Sequence, residues 1–532
     1  MTGAPGVGPM SKIIDAEAVA RQIPDGATVA IPGNASIMVV DHLLAALERR
    51  FAATASPRNL TVYTPCNAGL GPGTGVDRFA HKGLLKRYIA SAFPVYAGSP
   101  LADMIAAGEV ECYNFPMGVL YGLLRETAAG RPGLATHVGL DTYVDPQFGG
   151  GKMNAATTED LVERITLSGR DVLFYPSIPI DVVLIKATTA DTNGNLTLEH
   201  EPLSLGILAL AMAAKRGGGK VFVQVERIAA HGTLPARQIV VPEHLVDGIV
   251  LAPDAPQSAL GANPSITGEV KVEVSREPIE PGPERIILSR AAAELRAGWL
   301  INLGVGIANG VPRLLYEAGL ESLVTISTEH GGINGLPNPL PVFGAHTNVG
   351  AVMDPTNVFD MYSGGLLDAT FLGMAEVDAE GNANVSRFNG RLMGCGGFID
   401  ITARTRNIIF CGTFTSGGFK AAVRDGRLVV EQEGRVRKFV QRVSHRTFSG
   451  RAALARNQNV LLVTERGLFR LTSTGWLLVE VAPGIDPATQ IAPLMDFPLA
   501  CAPKLVAYGP EILAPAGSGS RDWLRRQLVG GG

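Results

Sequence analysis

WLINLGVGIANGVPRLLYEAGLESLVTISTEHGGINGLP, residues 299–337, is the stretch that decides the fold. WLINL (299–303) is a short apolar run of strand type. It enters the turn Gly304-Val305-Gly306-Ile307-Ala308-Asn309-Gly310, and VPRLLYEAGL follows with helical spacing and Pro312 near its start. LVTIST (323–328) is again apolar and β-branched. Glu329 stands at its end, before His330-Gly331-Gly332-Ile333-Asn334-Gly335-Leu336-Pro337. Strand, glycine turn, helix and strand make a βαβ unit, which predicts an α/β chain with largely parallel sheets.

Glu329 has several readings. In a dinucleotide-binding unit the glycines carry pyrophosphate and an acid about 20 residues on holds the ribose. Glu329 lies 23 positions after Gly306, but the spacing G-x-G-x-x-x-G is looser than that fingerprint. A strand-to-helix turn with a surface acid is the simplest alternative. The residues behind Glu329 favour a third role. Three glycines within six residues, closed by Pro337, let a bulky ligand and backbone amides approach one carboxylate. A carboxylate at a strand end in such a crevice suits covalent catalysis. With an ordinary pKa of about 4.3 it is ionised at neutral pH and needs positioning and desolvation rather than an activating base.

Two further glycine clusters follow. In GRLMGCGGFIDIT (390–402), Gly394-Cys395-Gly396-Gly397 precedes FIDIT, whose alternation predicts a strand. Backbone N–H groups of that turn can face a developing oxyanion. FCGTFTSGG (410–418) is another strand followed by a Gly-Ser/Thr turn.

Working outward, the chain repeats itself. KIIDAEAVARQIPDG (12–26) before ATVAI (27–31) resembles RIILSRAAAELRAG (285–298) before WLINL. ADTNGN (190–195) resembles VDAEGN (377–382), and KVFVQVE (220–226) resembles NIIFCGT (407–413). The last two pairs share one offset of 187 positions, Asp191 to Asp378 and Lys220 to Asn407. The first half carries about 85 extra residues between its repeats. PIEPGP (278–283) reads as the linker. Two related open α/β domains are therefore expected, at 1–283 and 284–532, with a site between them.

With 532 residues the chain is long enough for substantial cores, and 46% hydrophobic against 18% charged excludes a mainly disordered protein. A net charge of −3 offers nothing to a polyanion, so no nucleic-acid partner is expected. Five cysteines without a C-x-x-C pair argue against a disulfide framework or a zinc site. The apolar run 202–214 is too short to span a bilayer, and MTGAPGVGPMSK lacks a signal-peptide pattern. A cytoplasmic protein without a membrane partner is expected, with Met10 as a candidate start. The apolar, weakly charged composition is compatible with a homo-oligomer, dimer or tetramer.

TEHGGINGLP, NLGVGIANG, GCGGFIDIT and FCGTFTSGG together resemble the family I CoA-transferases, in the single-chain form that acts on acetate and propionate. The likeness extends to VDPQFGGGKMN (144–154), 174–195 and 463–486, and spans roughly residues 12 to 510. It implies the CoA-transferase fold in two fused halves and a ping-pong reaction through a glutamyl-CoA thioester. Glu329 matches the nucleophilic glutamate. Gly396 and Gly397 match the oxyanion turn. Gly304, Gly306, Gly331, Gly394, Thr413, Gly417 and Gly418 are candidates for lining the CoA channel. The implied partners are acyl-CoA and a short-chain carboxylate, with CoA as substrate and covalent intermediate and neither a metal nor a permanently bound cofactor. An acyl-CoA hydrolase using the same glutamate, or a nucleotide-binding oxidoreductase with Glu329 on ribose, are the alternatives.

One segment departs from the family pattern. IPGNASIMVVDHLLAAL (31–47) has a single glycine, and Met38-Val39-Val40 stand where a Pro-Glu pair is expected. Among the other polar residues, His330 is expected to line the pocket, Cys395 to pack, and Glu199-His200-Glu201 to lie on a solvated strand with alternating faces. Asp368 and Tyr362 are candidates for the acceptor pocket.

Overall fold

The computed structural model describes residues 12–388 and 390–530. The candidate start at Met10 lies outside them. Two large sheets carry the fold. In the first, β1 (Thr28–Ala30), β2 (Leu60–Thr64), β3 (Leu85–Ala90), β4 (Glu111–Asn114), β5 (Val182–Asp191), β6 (Lys220–Ala229) and β7 (Gly248–Leu251) lie in the order β7-β6-β5-β1-β2-β3-β4. All these pairings are parallel.

The second sheet has ten strands. They are β8 (Leu300–Leu303), β9 (Thr325–Ser327), β10 (Gly332–Ile333), β11 (Ala351–Val352), β12 (Ala369–Leu372), β13 (Asn407–Cys411), β14 (Asn459–Val463), β15 (Gly467–Thr472), β16 (Gly475–Val481) and β17 (Ala500–Ala507). Their order is β11-β10-β9-β8-β12-β13-β14-β15-β16-β17. The run from β9 to β14 is parallel, the pairings β9-β10-β11 and β14-β15-β16 are antiparallel, and the edge strand β17 pairs parallel with β16.

The two sheets share a common register. Val29 pairs with Val62 and Val182 as Ile301 pairs with Ile326 and Ala369. Val182 pairs with Lys220 as Ala369 pairs with Asn407. The turns after the equivalent strands are closed alike. The Asp191 carboxylate accepts the N–H groups of Asn193 and Asn195, and that of Asp378 accepts those of Glu380 and Asn382. Strands β3 and β4 have no equivalent in the second sheet and fall in the longer first half.

Helices cover the sheets with their apolar faces inward, as parallel strands buried on both sides require. Those that matter for the site are α1 (Met117–Ala128), α2 (Val311–Ala318), α3 (Pro355–Ser363) and α4 (Phe398–Arg404). Helix α4 corrects the strand expected over FIDIT. Residues 398–403 are all buried, so their alternation of residue types does not correspond to two faces. One of the minor expectations also changes. Glu199 and His200 form a turn after the short strand Leu196–Thr197, and Glu201 is buried with its carboxylate 3.1 Å from Lys186 Nζ. Among the described residues no helix is long and apolar enough to cross a membrane.

Candidate active site

The site begins with three polar side chains at one level of the second sheet. Asn302, Ser327 and Thr370 are register partners on β8, β9 and β12, and all three are fully buried. Thr370 Oγ1 donates to Asn302 Oδ1 at 3.0 Å. Ser327 Oγ and Tyr362 Oη are 2.8 Å apart, and Asn302 Nδ2 reaches Tyr362 Oη at 3.4 Å. A buried polar network of this kind holds its members in one arrangement when each has a partner. Asn302 Nδ2 also donates to Glu329 Oε2 at 3.3 Å. The first sheet has Ala30, Tyr63 and Val183 at the equivalent places, so only the second half carries this polar network.

Glu329 lies just past the C-terminal end of β9 and is 7% exposed. The C-terminal edge of parallel strands is where open α/β sheets bind ligands. Burial pushes the carboxyl pKa up to about 7, against the smaller opposing effects of its own backbone N–H and the Asn302 amide. The carboxyl is thus close to half ionised at neutral pH, which corrects the expectation of a fully ionised side chain. The reason is desolvation, which a strand-end position alone does not reveal.

Among the described residues no cation offsets that cost. His330 Nδ1 is 3.9 Å from Glu329 Oε1, within ion-pair range, yet burial pushes the imidazole down to about 3 and leaves it neutral. Its Nε2 lies 3.9 Å from Cys66 Sγ, and its ring meets Phe343 edge-on. Cys66 itself is pushed up to about 12 by burial and donates to Asn34 Oδ1 at 3.2 Å. The histidine is thus a buried, neutral neighbour of the Glu329 carboxyl. The departing 31–47 segment stands directly behind it, with Asn34 Nδ2 donating to Phe343 O at 2.6 Å and Ser36 Oγ to Pro341 O at 2.8 Å.

The turn 394–397 faces Glu329 from the other side. A Cβ on Gly397 would lie 3.2 Å from Glu329 Cγ and 3.2 Å from the Phe359 ring, so the Glu329 side chain packs close to this glycine and leaves no room for a side chain there. The Gly397 N–H has no acceptor among the described residues, whereas the Gly396 N–H already donates to Ser91 O at 2.8 Å. Cys395 N donates to Asn114 Oδ1 at 3.0 Å, and Met117 N to Gly396 O at 2.9 Å. Gly394 is packed against Ser91 and Ala92 with positive φ. This turn is thus fastened to the first half and brings it to the edge of the site.

The remaining candidates spread along the strand ends. Gly304 packs on Leu372, while Gly306 is open to solvent. Gly331 closes the turn behind Glu329, where Met353 O leaves no room for a side chain. Thr413 follows β13, three strands from Glu329, or about 14 Å at the usual strand spacing. Lys438, not singled out from the sequence, is 9% exposed, donates to Thr413 Oγ1 at 3.4 Å, and has no ion-pair partner among the described residues. Burial pushes its ammonium pKa down. Gly417 and Gly418 lie on an exposed turn beyond.

Tyr362 belongs to the polar network, but Asp368 does not. Asp368 Oδ2 accepts from Leu300 N at 2.9 Å, at the opposite end of β8. The candidate residues not singled out from the sequence are Asn302 and Lys438. Asn302 had a signal, being the one polar side chain in WLINL. The cluster Asp191, His231 and Glu243 has metal-ligand types, but the Asp191 carboxylate is already occupied by the turn it closes.

Residues 14–252 match the model of the coenzyme A transferase family. The caffeate CoA-transferase of Acetobacterium woodii is 41% identical over 501 residues, covering 92% of this chain and 94% of that protein. The acetate CoA-transferase YdiF of Escherichia coli strain K12 is 37% identical over 512 residues, 95% of this chain and 96% of its own. The crystal structure of the acyl-CoA transferase YdiF from E. coli O157:H7, a thioester complex with CoA, superposes with a TM-score of 0.89 at 35% identity. It covers 96% of this chain and 98% of that one.

Proposed function

The chain belongs to the family I coenzyme A transferases, and from that premise we propose that it moves CoA from a short-chain acyl-CoA to a free carboxylate through a glutamyl-CoA thioester on Glu329. The observation that carries this is the buried Glu329 carboxyl, without a cationic partner among the described residues and with its side chain packed close to Gly397. The thioester complex of the YdiF relative supports the covalent route.

Ionised Glu329 attacks the thioester carbonyl, and the C–S bond breaks to give an acyl-glutamyl anhydride and CoA thiolate. The thiolate then attacks the glutamyl carbonyl and releases the first carboxylate. The acceptor carboxylate runs the two steps in reverse, and the thioester bond energy is conserved. The free Gly397 N–H and the Asn302 amide are the donors we assign to the oxyanions. Removing Glu329 from water raises its nucleophilicity and keeps the anhydride from hydrolysis, which disfavours the hydrolase alternative. A ribose role for Glu329 does not suit a carboxylate turned into the sheet network.

The pantetheine arm follows the strand ends from Glu329 towards Thr413 and Lys438. The buried ammonium there faces an anionic or carbonyl group of CoA. The catalytic machinery belongs to residues 284–532, and residues 1–283 close the site through the 31–47 segment and the contacts to Ser91 and Asn114.

Incubation with acetyl-CoA, trapping with hydroxylamine or borohydride, and mass spectrometry should place the modification on Glu329. Transfer without a Glu329 adduct would exclude the mechanism. Labelled acetate added with propionyl-CoA should yield labelled acetyl-CoA, which hydrolysis cannot produce.

A further inference from the structure

A second carboxyl is buried beside Glu329. Asp400, in the first turn of α4, is 1% exposed and comes from the segment that supplies Gly397. Its Oδ2 accepts the N–H of Gly118, at the start of α1, at 3.1 Å. The fit is close. A Cβ on Gly118 would stand 2.5 Å from Asp400 Oδ1 and 2.6 Å from the Phe359 ring. That same ring is in contact with Gly397, which in turn touches Glu329.

We infer that Asp400 is a positioning residue for the transfer site, joining the first turn of α4 to the first turn of α1 and so holding the Gly397 backbone against Glu329. The inference rests on the covalent role proposed for Glu329. Asp400 reaches no reacting atom; it fixes the relative placement of two segments from opposite halves of the chain. Helix α1 begins at Pro116-Met117 without a side-chain cap of its own. Its exposed N–H groups are satisfied from across the interface.

The chemistry of the pair sets how Asp400 works. Burial, the largest influence, pushes its carboxyl up to about 8, and the nearby Glu329 charge adds to that. The other titratable groups facing Asp400 are Cys395 and Tyr175, both kept protonated by burial. Those facing Glu329 are His330, Cys66 and Tyr362, all neutral at pH 7. Two carboxylates in one dry wall resist joint ionisation. Asp400 is therefore mostly protonated while Glu329 acts as nucleophile. Ionising Asp400 sets a negative charge beside the forming oxyanion and slows acylation.

The test is the rate of Glu329–CoA adduct formation from acetyl-CoA as a function of pH, in the full chain and two variants. Asp400→Asn keeps an acceptor oxygen without the charge, and it should retain acylation within about threefold at pH 7 while losing the alkaline decline above about pH 8. Asp400→Ala removes the link and should lower kcat by about a hundredfold, with KM for acyl-CoA little changed. A wild-type kcat in Asp400→Ala, or an unchanged alkaline limb in Asp400→Asn, overturns the inference. If Asp400→Ala does not fold, the Asp400→Asn profile decides alone. Absence of any adduct in the wild-type protein would instead refute the proposed role of Glu329.

Discussion

At the scale of single residues, the most telling property is that Glu329 keeps its proton to about pH 7. Two consequences follow. Acylation should fall tenfold per pH unit below that value. Asn302→Ala, which removes a hydrogen bond favouring the charged form, should move this limb to higher pH. Stability is linked in the opposite sense. An unfolded glutamate releases its proton near 4.5, so between there and about 7 the folded chain binds more protons and stability falls as pH rises. The loss approaches about 3 kcal/mol for a carboxyl buried without a cation. Glu329→Gln escapes it. Its melting temperature should match the wild type near pH 5 and exceed it at pH 8, as scanning calorimetry would show. Equal melting temperatures at pH 8 would contradict the buried, uncompensated carboxyl. The same variant should lose transfer activity altogether.

At the scale of elements, the C-terminal edge of the second sheet carries the groups of the proposed reaction. The strands and glycine turns around 299–337 are legible because their periodicity and punctuation are local. Helix α4 is not, because FIDIT is apolar enough for either state and tertiary burial on every side decides it. Asn302 and Lys438 join the proposed site only when strands distant in sequence are placed side by side. Lys438 stands over the end of β13 with one long side-chain hydrogen bond and, among the described residues, no ion pair. Lys438→Met should raise KM for acyl-CoA by about tenfold while leaving kcat and the carboxylate KM nearly unchanged. Steady-state kinetics varying each substrate separately would show this. An equal effect with acetyl-pantetheine would confine the contact to the pantetheine arm, and an unchanged KM would remove Lys438 from the CoA path.

At the scale of the whole molecule, the repeat in the sequence becomes two sheets of common register, and the proposed site lies where residues of both meet. The chain between the halves is held mainly on the second, with Arg276 paired to Glu321 at 2.9 Å and Ile279 N donating to Glu317 at 2.9 Å. The halves are joined across the site by Ser36 to Pro341, Asn114 to Cys395, Gly118 to Asp400 and Ser204 to Asp354. A protease site placed at Pro281-Gly282 and then cut should leave two fragments that co-elute on gel filtration and keep transfer activity. Separation on cutting would show that the linker itself maintains the assembly. The insertion with β3 and β4 was visible only as extra length, because its contribution lies in strand-end contacts to residues nearly 300 positions away.

The shared register assigns each residue of the site a counterpart. Tyr63 and Ser327 are equivalent, so Pro65 corresponds to Glu329 and Cys66 to His330. Cys66 and His330 approach each other to 3.9 Å, so corresponding points of the two halves meet where an approximate dyad would run. A symmetric pair of identical halves would bring two acidic side chains into one water-free space, each suppressing the ionisation of the other. In this chain the two halves differ at that place. One keeps the acid, and the other fills the opposite place with a proline and an inert thiol. Asymmetry is thus a condition for having a single nucleophile on such an axis, and a chain with both halves covalently linked can maintain it.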